Sequence, residues 1–283
     1  MACTCVVGLQ WGDEAKGKLV DFLGSKAELV VRYSGGNNAG HTVIVGNQEF
    51  KFQLIPAGIL HTNVTAVLGA GMVICPKGLL EELDRTQAQQ ASLGRLVVSS
   101  SAHVVFPYHR VLDGLEEKLR GSDSIGTTSR GIGPAYQDKV ARFGIRMGEF
   151  VDPDRFRARL QTTLAFKNRL IEVLGGEPLE FESLYSEYAA YAERLKPFVE
   201  DIDALVQDAV LTGKRVLFEG AQGAFLDLDS GTYPYVTSSH PIAGGACLGT
   251  GIGPRDIHAA IGVCKAYTTR VGAGPFPTEL DNE

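Results

Sequence analysis

Positive charge is in short supply. Lys and Arg number 27 against 33 Asp and Glu, a formal net charge of −6 over 283 residues. A chain with this balance is a poor non-specific binder of nucleic acid or anionic membrane, so an anionic ligand has to be met by local cations and backbone donors. Long apolar runs are also missing; none approaches the roughly 20 residues that span a bilayer. No basic segment followed by an apolar one opens the chain, so no signal peptide is expected. Cysteine is sparse: Cys3, Cys5, Cys75, Cys247 and Cys264, an odd number with no C-x-x-C. That leaves no disulfide framework or thiol metal site to read. Cys3, Cys5 and Cys264 lie in apolar strand-like runs and are expected to be small buried thiols in a reducing cytoplasm. There is no internal repeat, linker or low-complexity segment, and the length suffices for a sizeable core.

Glycine, by contrast, is abundant at 34 residues. It gathers between Gly8 and Gly17, Gly35 and Gly40, Gly121 and Gly133, and Gly220 and Gly274. Loops that bring backbone N–H groups onto a polyanion account for such clusters, and turn chemistry accounts for some of them. Between the clusters, strands are expected at Thr4–Val7, Leu29–Tyr33, Ala66–Leu68, Leu96–Ser99, Arg215–Glu219 and Ile261–Ala266, with a hairpin over Thr42–Leu54. Helices are expected at Lys16–Leu23, Pro76–Gln90, Pro107–Arg120, Pro153–Leu174 and Glu180–Leu211. In the last, Val199, Ile202, Val206 and Val210 recur at helical spacing as a core stripe. The alternation predicts one α/β domain over 1–283, with a mostly parallel central sheet flanked by helices. A P-loop-like phosphate loop follows the first strand. A mainly helical insertion around 151–214, poor in glycine, lies apart from the site.

The phosphate loop is "GDEAKGKL", Gly12 to Leu19. It matches seven places of G-x-x-x-x-G-K-[ST], but Leu19 stands where a magnesium-binding hydroxyl belongs. Helix-start N–H groups with Lys16 and Lys18 suit an anion. A hard metal would need another ligand, and Asp13 is the nearest; the same carboxylate also suits a general base. A solvated Asp-Glu turn remains the other reading of this motif alone. A second loop, "RYSGGNNAGHT", offers amides and His41, placed to donate to a phosphate in a transition state. A third, "IGTTSRGIGPAYQDKVAR", offers the hydroxyls of Thr127, Thr128 and Ser129 and the forks of Arg130 and Arg142. "FEGAQGAFLDLDSGTYPYVTSS" and "TTRVGAGPFPTEL" follow the last strands.

Together "QWGDEAKGK", "GGNNAGHT", "IGTTSRGIGPAYQDKVAR", "FEGAQGAFLDLDSGTYPYVTSS" and "RVGAGPFPTEL" resemble, in order and end to end, the adenylosuccinate synthetase family. The resemblance implies a carbon–nitrogen ligase of AMP synthesis that joins IMP and L-aspartate using GTP and Mg2+, through 6-phosphoryl-IMP. It implies Asp13 as base and magnesium ligand, His41 as the acid toward the moving phosphoryl group, and Gln222 beside them. The Gly40 carbonyl is the implied second magnesium ligand. GTP falls to Gly12, Asp13, Glu14, Ala15, Lys16, Gly17 and Lys18, with Gly40, His41 and Thr42. IMP falls to Asp13, Lys16, Asn38, Ala39, Gly40, His41, Thr128, Gln222 and Thr237, and to Arg142 reaching across a homodimer. The cytoplasm is the implied compartment, with no nucleic-acid or membrane partner.

The chain departs from the family pattern in three ways. Ala15 replaces a glycine, so positive φ is expected to be costly there. His240 and Ile242 replace asparagine and threonine, and His240 is given no role. The family also continues beyond "PFPTEL" with its aspartate-binding loop and guanine-reading motif, so a chain ending at Glu283 is expected to lack synthetase activity and guanine preference. A nucleotide-binding module without turnover, and a phage-type relative using another purine nucleotide, are the competing readings; the retained Asp13 speaks against the second.

Overall fold

The computed structural model describes residues 3–90 and 92–280. β1 (Cys3–Gly8) leads into α1 (Lys16–Gly24), β2 (Leu29–Arg32) and the hairpin of β3 (His41–Val45) and β4 (Gln48–Phe52). Then come β5 (Thr65–Leu68), β6 (Val73–Ile74), α2 (Pro76–Gln89), β7 (Arg95–Ser99), β8 (His103–Val104), α3 (Pro107–Arg120) and α4 (Ile132–Ala141). The chain continues through α5 (Met147–Phe150), α6 (Pro153–Val173), α7 (Phe181–Leu195), β9 (Val199–Glu200) and α8 (Ile202–Leu211). It closes with β10 (Val216–Glu219), α9 (Gly244–Thr250) and β11 (Ala259–Val263).

Seven strands form one sheet in the order β11-β1-β10-β2-β5-β7-β9, and every ladder in it is parallel. The strands are apolar because both faces are covered. Val6, Val30 and Ala66 pack on one side with the α1, α2 and α6 residues Val20, Leu79 and Leu160. Cys3, Cys5, Val31 and Phe218 pack on the other, with Val206 of α8 and Ala246 of α9. The register sets Val6 opposite both Glu219 and Ile261, so the carboxyl ends of β1, β2, β10 and β11 open onto the same edge. Parallel sheets bind ligands at that edge.

Three features depart from the sequence reading. The helix expected over Glu180–Leu211 is two helices. Pro197 has no N–H to continue the first, and Val199, assigned above to a helical stripe, instead pairs with Val98 at the sheet's edge. The last strand ends at Val263, so Cys264 is exposed rather than buried. Ile132–Ala141, read as part of a loop motif, is a helix whose buried Ile132, Ala135 and Tyr136 follow helical spacing. The glycine-rich α9 is helical because Ala246 buries against the second face of the sheet. Around 151–214, Phe156, Leu160, Leu184 and Leu195 join the same buried cluster as the central strands.

Candidate active site

The phosphate loop leaves β1 and enters α1 through left-handed backbone at Gly12 (φ 92), Asp13 (φ 59) and Ala15 (φ 63). The two carboxylates part company. Glu14 turns inward and is buried. Its Oε1 accepts from the backbone N–H groups of Gln10 and Gly12, both at 3.0 Å. Its Oε2 pairs with the Lys16 ammonium. Asp13 stays exposed on the wall of a cavity of about 700 Å³. In this arrangement the Lys16 charge is held by Glu14, while Lys18 is exposed along the cavity.

The second loop leaves β2 at Arg32, a guanidinium almost fully buried. It donates to the carbonyls of Gln53 and Gly36 and lies in the field of Glu219 and Glu82. Glu82 receives the backbone N–H groups of Gln53, Leu54 and Ile55 at 3.1, 3.1 and 2.9 Å, which anchors the end of the β3–β4 hairpin. His41 opens β3. Its ring lies against Gly17, where a Cβ would come within 2.7 Å of the ring, so only glycine permits that approach. Burial, with the Arg32 and Lys16 charges adding, pushes the His41 pKa down to about 3. The imidazole is therefore neutral near pH 7, and its Nε2 stands 3.8 Å from Glu219. Burial raises the pKa of Glu219, which receives the Ala57 N–H at 3.2 Å.

The loop after β10 brings Gln222, at φ 55, against the second loop; its Nε2 donates to Asn38 Oδ1 at 3.0 Å. Around the cavity, Arg32 Nε, His41 Nε2, Gln222 Oε1 and Thr237 Oγ1 are buried without a hydrogen-bond partner among the described residues. Folded proteins rarely leave such atoms unpaired, and all four belong to residues that line the one cavity.

The cavity brings together the loop from Gly12 to Lys18, then Asn38, Ala39, Gly40, His41 and Thr42, and finally Thr128, Gln222 and Thr237. It does not include Arg142, which caps α4 on the outside in left-handed backbone, φ 66. Nor is Arg130 a free phosphate fork; it donates to the Asn37 carbonyl at 2.8 Å and to Gln53 at 2.9 Å. His240 sits off the cavity, 3.3 Å from Asp227. With Asp229 these residues lie at metal-ligand spacing, but Asp227 Oδ1 is already taken by the N–H groups of Asp229 and Ser230. Sequence reasoning passed over Arg32, Glu219, Trp11 and Arg270, all on the wall. The first two had a signal, a charge closing an apolar strand; the other two carried none.

The adenylosuccinate synthetase family profile matches residues 5–283. The chain is 56% identical over 284 aligned residues to an adenylosuccinate synthetase of Desulfitobacterium hafniense, covering 100% of this chain and 66% of that protein. A relative of the same name from Heliobacterium modesticaldum is also 56% identical over 284 aligned residues, with the same coverage. Among solved structures, a fully ligated adenylosuccinate synthetase from Plasmodium falciparum superposes with a TM-score of 0.92 at 38% identity, over 100% of this chain and 66% of that one. A cyanophage S-2L succinoaminodeoxyadenylate synthetase, bound to dGMP and dATP, shares the fold at a TM-score of 0.63 and 24% identity, over 93% of this chain and 63% of that one. The chain thus spans 66% of the length of the curated relatives it matches, and it belongs to the adenylosuccinate synthetase family.

Proposed function

We propose that the protein carrying this chain joins IMP to L-aspartate at the expense of GTP, through 6-phosphoryl-IMP, giving adenylosuccinate, GDP and phosphate. The observation that carries the reading is the single cavity on which Asp13, His41, Gln222 and Thr237 meet, with polar atoms of the last three unpaired. Asp13, exposed at the helix start, takes the N1 proton of IMP and makes O6 nucleophilic toward the γ-phosphate. Neutral His41 donates its ring N–H to the phosphoryl group in transfer. The amino group of aspartate then displaces phosphate from C6. Asn38, Ala39, Thr128, Gln222 and Thr237 hold IMP. The backbone from Gly12 to Lys18, with Gly40 and Thr42, holds the GTP phosphates, and Lys16 exchanges Glu14 for a phosphate oxygen. Phosphoryl transfer needs alignment and charge neutralisation more than covalent help. The Asp13 carboxylate and the Gly40 carbonyl are hard oxygen donors on the same cavity, the chemistry Mg2+ prefers; when bound, the ion neutralises phosphate charge. The whole chain is read as one α/β domain, with 151–214 as its helical insertion.

The assay is adenylosuccinate formation from IMP, GTP, Mg2+ and aspartate, on the uninterrupted protein that carries this chain and on its Asp13→Ala variant. Losing a general base typically costs about 10²–10⁴-fold in rate. Turnover within tenfold of the unaltered protein (~1.4 kcal/mol), or GTP consumed equally without IMP, overturns the assignment.

The same reading makes the protein a cytoplasmic homodimer in which Arg142 serves the neighbour's site. Supporting it, Arg142 lies outside its own cavity, Val140 beside it is 80% exposed, and Phe143 stacks on Phe166 at 4.7 Å in an exposed apolar patch. Arg142→Leu and Asp13→Ala, each inactive alone, should regain about one quarter of full activity when mixed under subunit exchange, because half the dimers are mixed and each has one intact site. A mixture as inactive as its parents, with exchange demonstrated, shows that Arg142 acts within its own subunit.

A further inference from the structure

Left-handed backbone at the non-glycine residues Asp13 and Ala15 persists only where the surroundings hold it in place. On the carboxyl side that support is the buried Glu14. On the amino side it comes from residues far away in sequence, between Phe225 and Phe276. Gln10 donates to Thr268 Oγ1 at 2.8 Å and accepts from the Lys265 N–H at 2.9 Å. Trp11 is gripped harder. Its ring lies 4.6 Å from Phe225 and 5.6 Å edge-on to Phe276, its Nε1 donates to Thr232 Oγ1 at 3.3 Å, and the Arg270 guanidinium lies over it at 5.2 Å. Arg270 uses every nitrogen. Nε donates to the Ala273 carbonyl at 3.0 Å, Nη1 to the Pro275 carbonyl at 2.7 Å and to Thr232 at 3.3 Å, and Nη2 to the Tyr235 carbonyl at 3.2 Å. The segment wraps so closely that a Cβ on Gly274 would stand 2.4 Å from Nη2, and φ there is 114.

We infer that Arg270, acting through Trp11 and the bridging hydroxyl of Thr232, is a positioning residue for Asp13: it locks the phosphate loop in the left-handed turn that presents the Asp13 carboxylate to the cavity. The role assigned to Asp13 rests on the function proposed above; the lock itself is a property of the ligand-free fold. A planar fork is needed, because four acceptors lie in different directions around it, and an ammonium in its place reaches only some of them.

Backbone hydrogen exchange tests the lock without any ligand. Arg270→Lys keeps the charge and loses the fork. The expected result is at least fivefold faster exchange in peptides covering Gln10–Lys18 as well as in 268–276, with β5 and α6 unchanged. The one tryptophan of this chain reports the same event: Trp11 emission shifts to the red and acrylamide reaches it more readily. Thr232→Val, which removes only the bridging hydroxyl, is the milder variant and should loosen the same two segments to a lesser degree. If 268–276 loosens while Gln10–Lys18 exchanges as before, or if Thr232→Val leaves both untouched while Arg270→Lys accelerates exchange throughout the chain, Arg270 merely supports the fold and the inference is wrong. The role of Asp13 is judged separately, by the magnesium-dependent gain in GTP affinity of the unaltered protein and its loss in Asp13→Ala. An Asp13→Ala protein that keeps the gain refutes that role and leaves the lock standing.

Discussion

Ala15 sits in left-handed backbone, φ 63 and ψ 30, where a Cβ crowds the following carbonyl at a cost of about 1–2 kcal/mol. Glycine avoids that cost but loses more chain entropy on folding, roughly 0.5–1 kcal/mol. Ala15→Gly should therefore raise stability by up to about 1.5 kcal/mol, at roughly 2–4 °C of thermal midpoint per kcal/mol for a large domain. Calorimetry checks it, and a lower midpoint shows that the loop relaxes around Ala15 and stores no strain. The same turn sets the two carboxylates of the phosphate loop apart. Three left-handed positions so close together turn Glu14 inward and Asp13 outward, so one carboxylate braces the loop while its neighbour faces the cavity.

At the scale of elements, α4 is fixed at its carboxyl end by one face of α6. Residues four apart on that face address one turn: Arg159 donates to the Gly144 carbonyl at 3.0 Å, Thr163 to the Phe143 carbonyl at 3.3 Å, and Lys167 to the Asp138 carboxylate. From α3, His109 Nδ1 accepts the Phe106 N–H at 2.9 Å, which leaves Nε2 to donate to Asp138 at 3.0 Å. The Asp138 carbonyl takes the N–H groups of Phe143 and Gly144, and Arg142 lies inside that turn. Lys167→Met leaves a buried carboxylate half paired, a change that typically costs about 3–5 kcal/mol. Urea unfolding should show that loss, and Asp138→Asn added to it should recover part, because no charge is then stranded. A single-variant loss near zero means that water reaches the pair.

At the scale of the whole molecule, acid acts through histidines buried in the neutral form. Burial pushes His103 down to about 4, with the Lys139 and Arg146 charges adding. It also lowers His109, against the pull of Asp138. Asp138 is itself lowered, held by His109 and Lys167 against the cost of its burial. Below the ordinary histidine value of 6.5 the unfolded chain binds protons that folded His103 refuses until about 4. The unfolded state then carries more protons, so stability rises with pH in that window and falls as the solution is acidified through it. The lowered Asp138 works in the same direction at lower pH, its contribution disappearing as the solution falls through its folded value. The midpoint of thermal unfolding should drop between pH 6.5 and 4, and His103→Gln, neutral throughout, should flatten that slope. An unchanged slope shows that His103 gains water and protonates without unfolding.

Much of the site was legible in the chain because its chemistry is local. Glycine loops follow apolar strands, and the spacing of Gly12, Gly17 and Lys18 depends only on how backbone N–H groups meet an anion. The alternation of strand and helix determined the sheet's parallel character for an equally local reason: each strand is covered on both faces. What lay beyond reach depends on residues far apart in sequence. The break at Pro197 became a sheet strand because β7 had an open edge for Val199. Arg130, a phosphate fork by residue type, was diverted by carbonyl and amide oxygens 77 or more residues away. Arg32 and Glu219 became cavity wall through the pairing of β2 with β10. Sequence alone supplied the groups capable of meeting phosphate and metal. The packed structure decided which of them line the cavity and which are spent elsewhere, because a buried donor or acceptor that finds a partner within the protein is no longer free for a ligand.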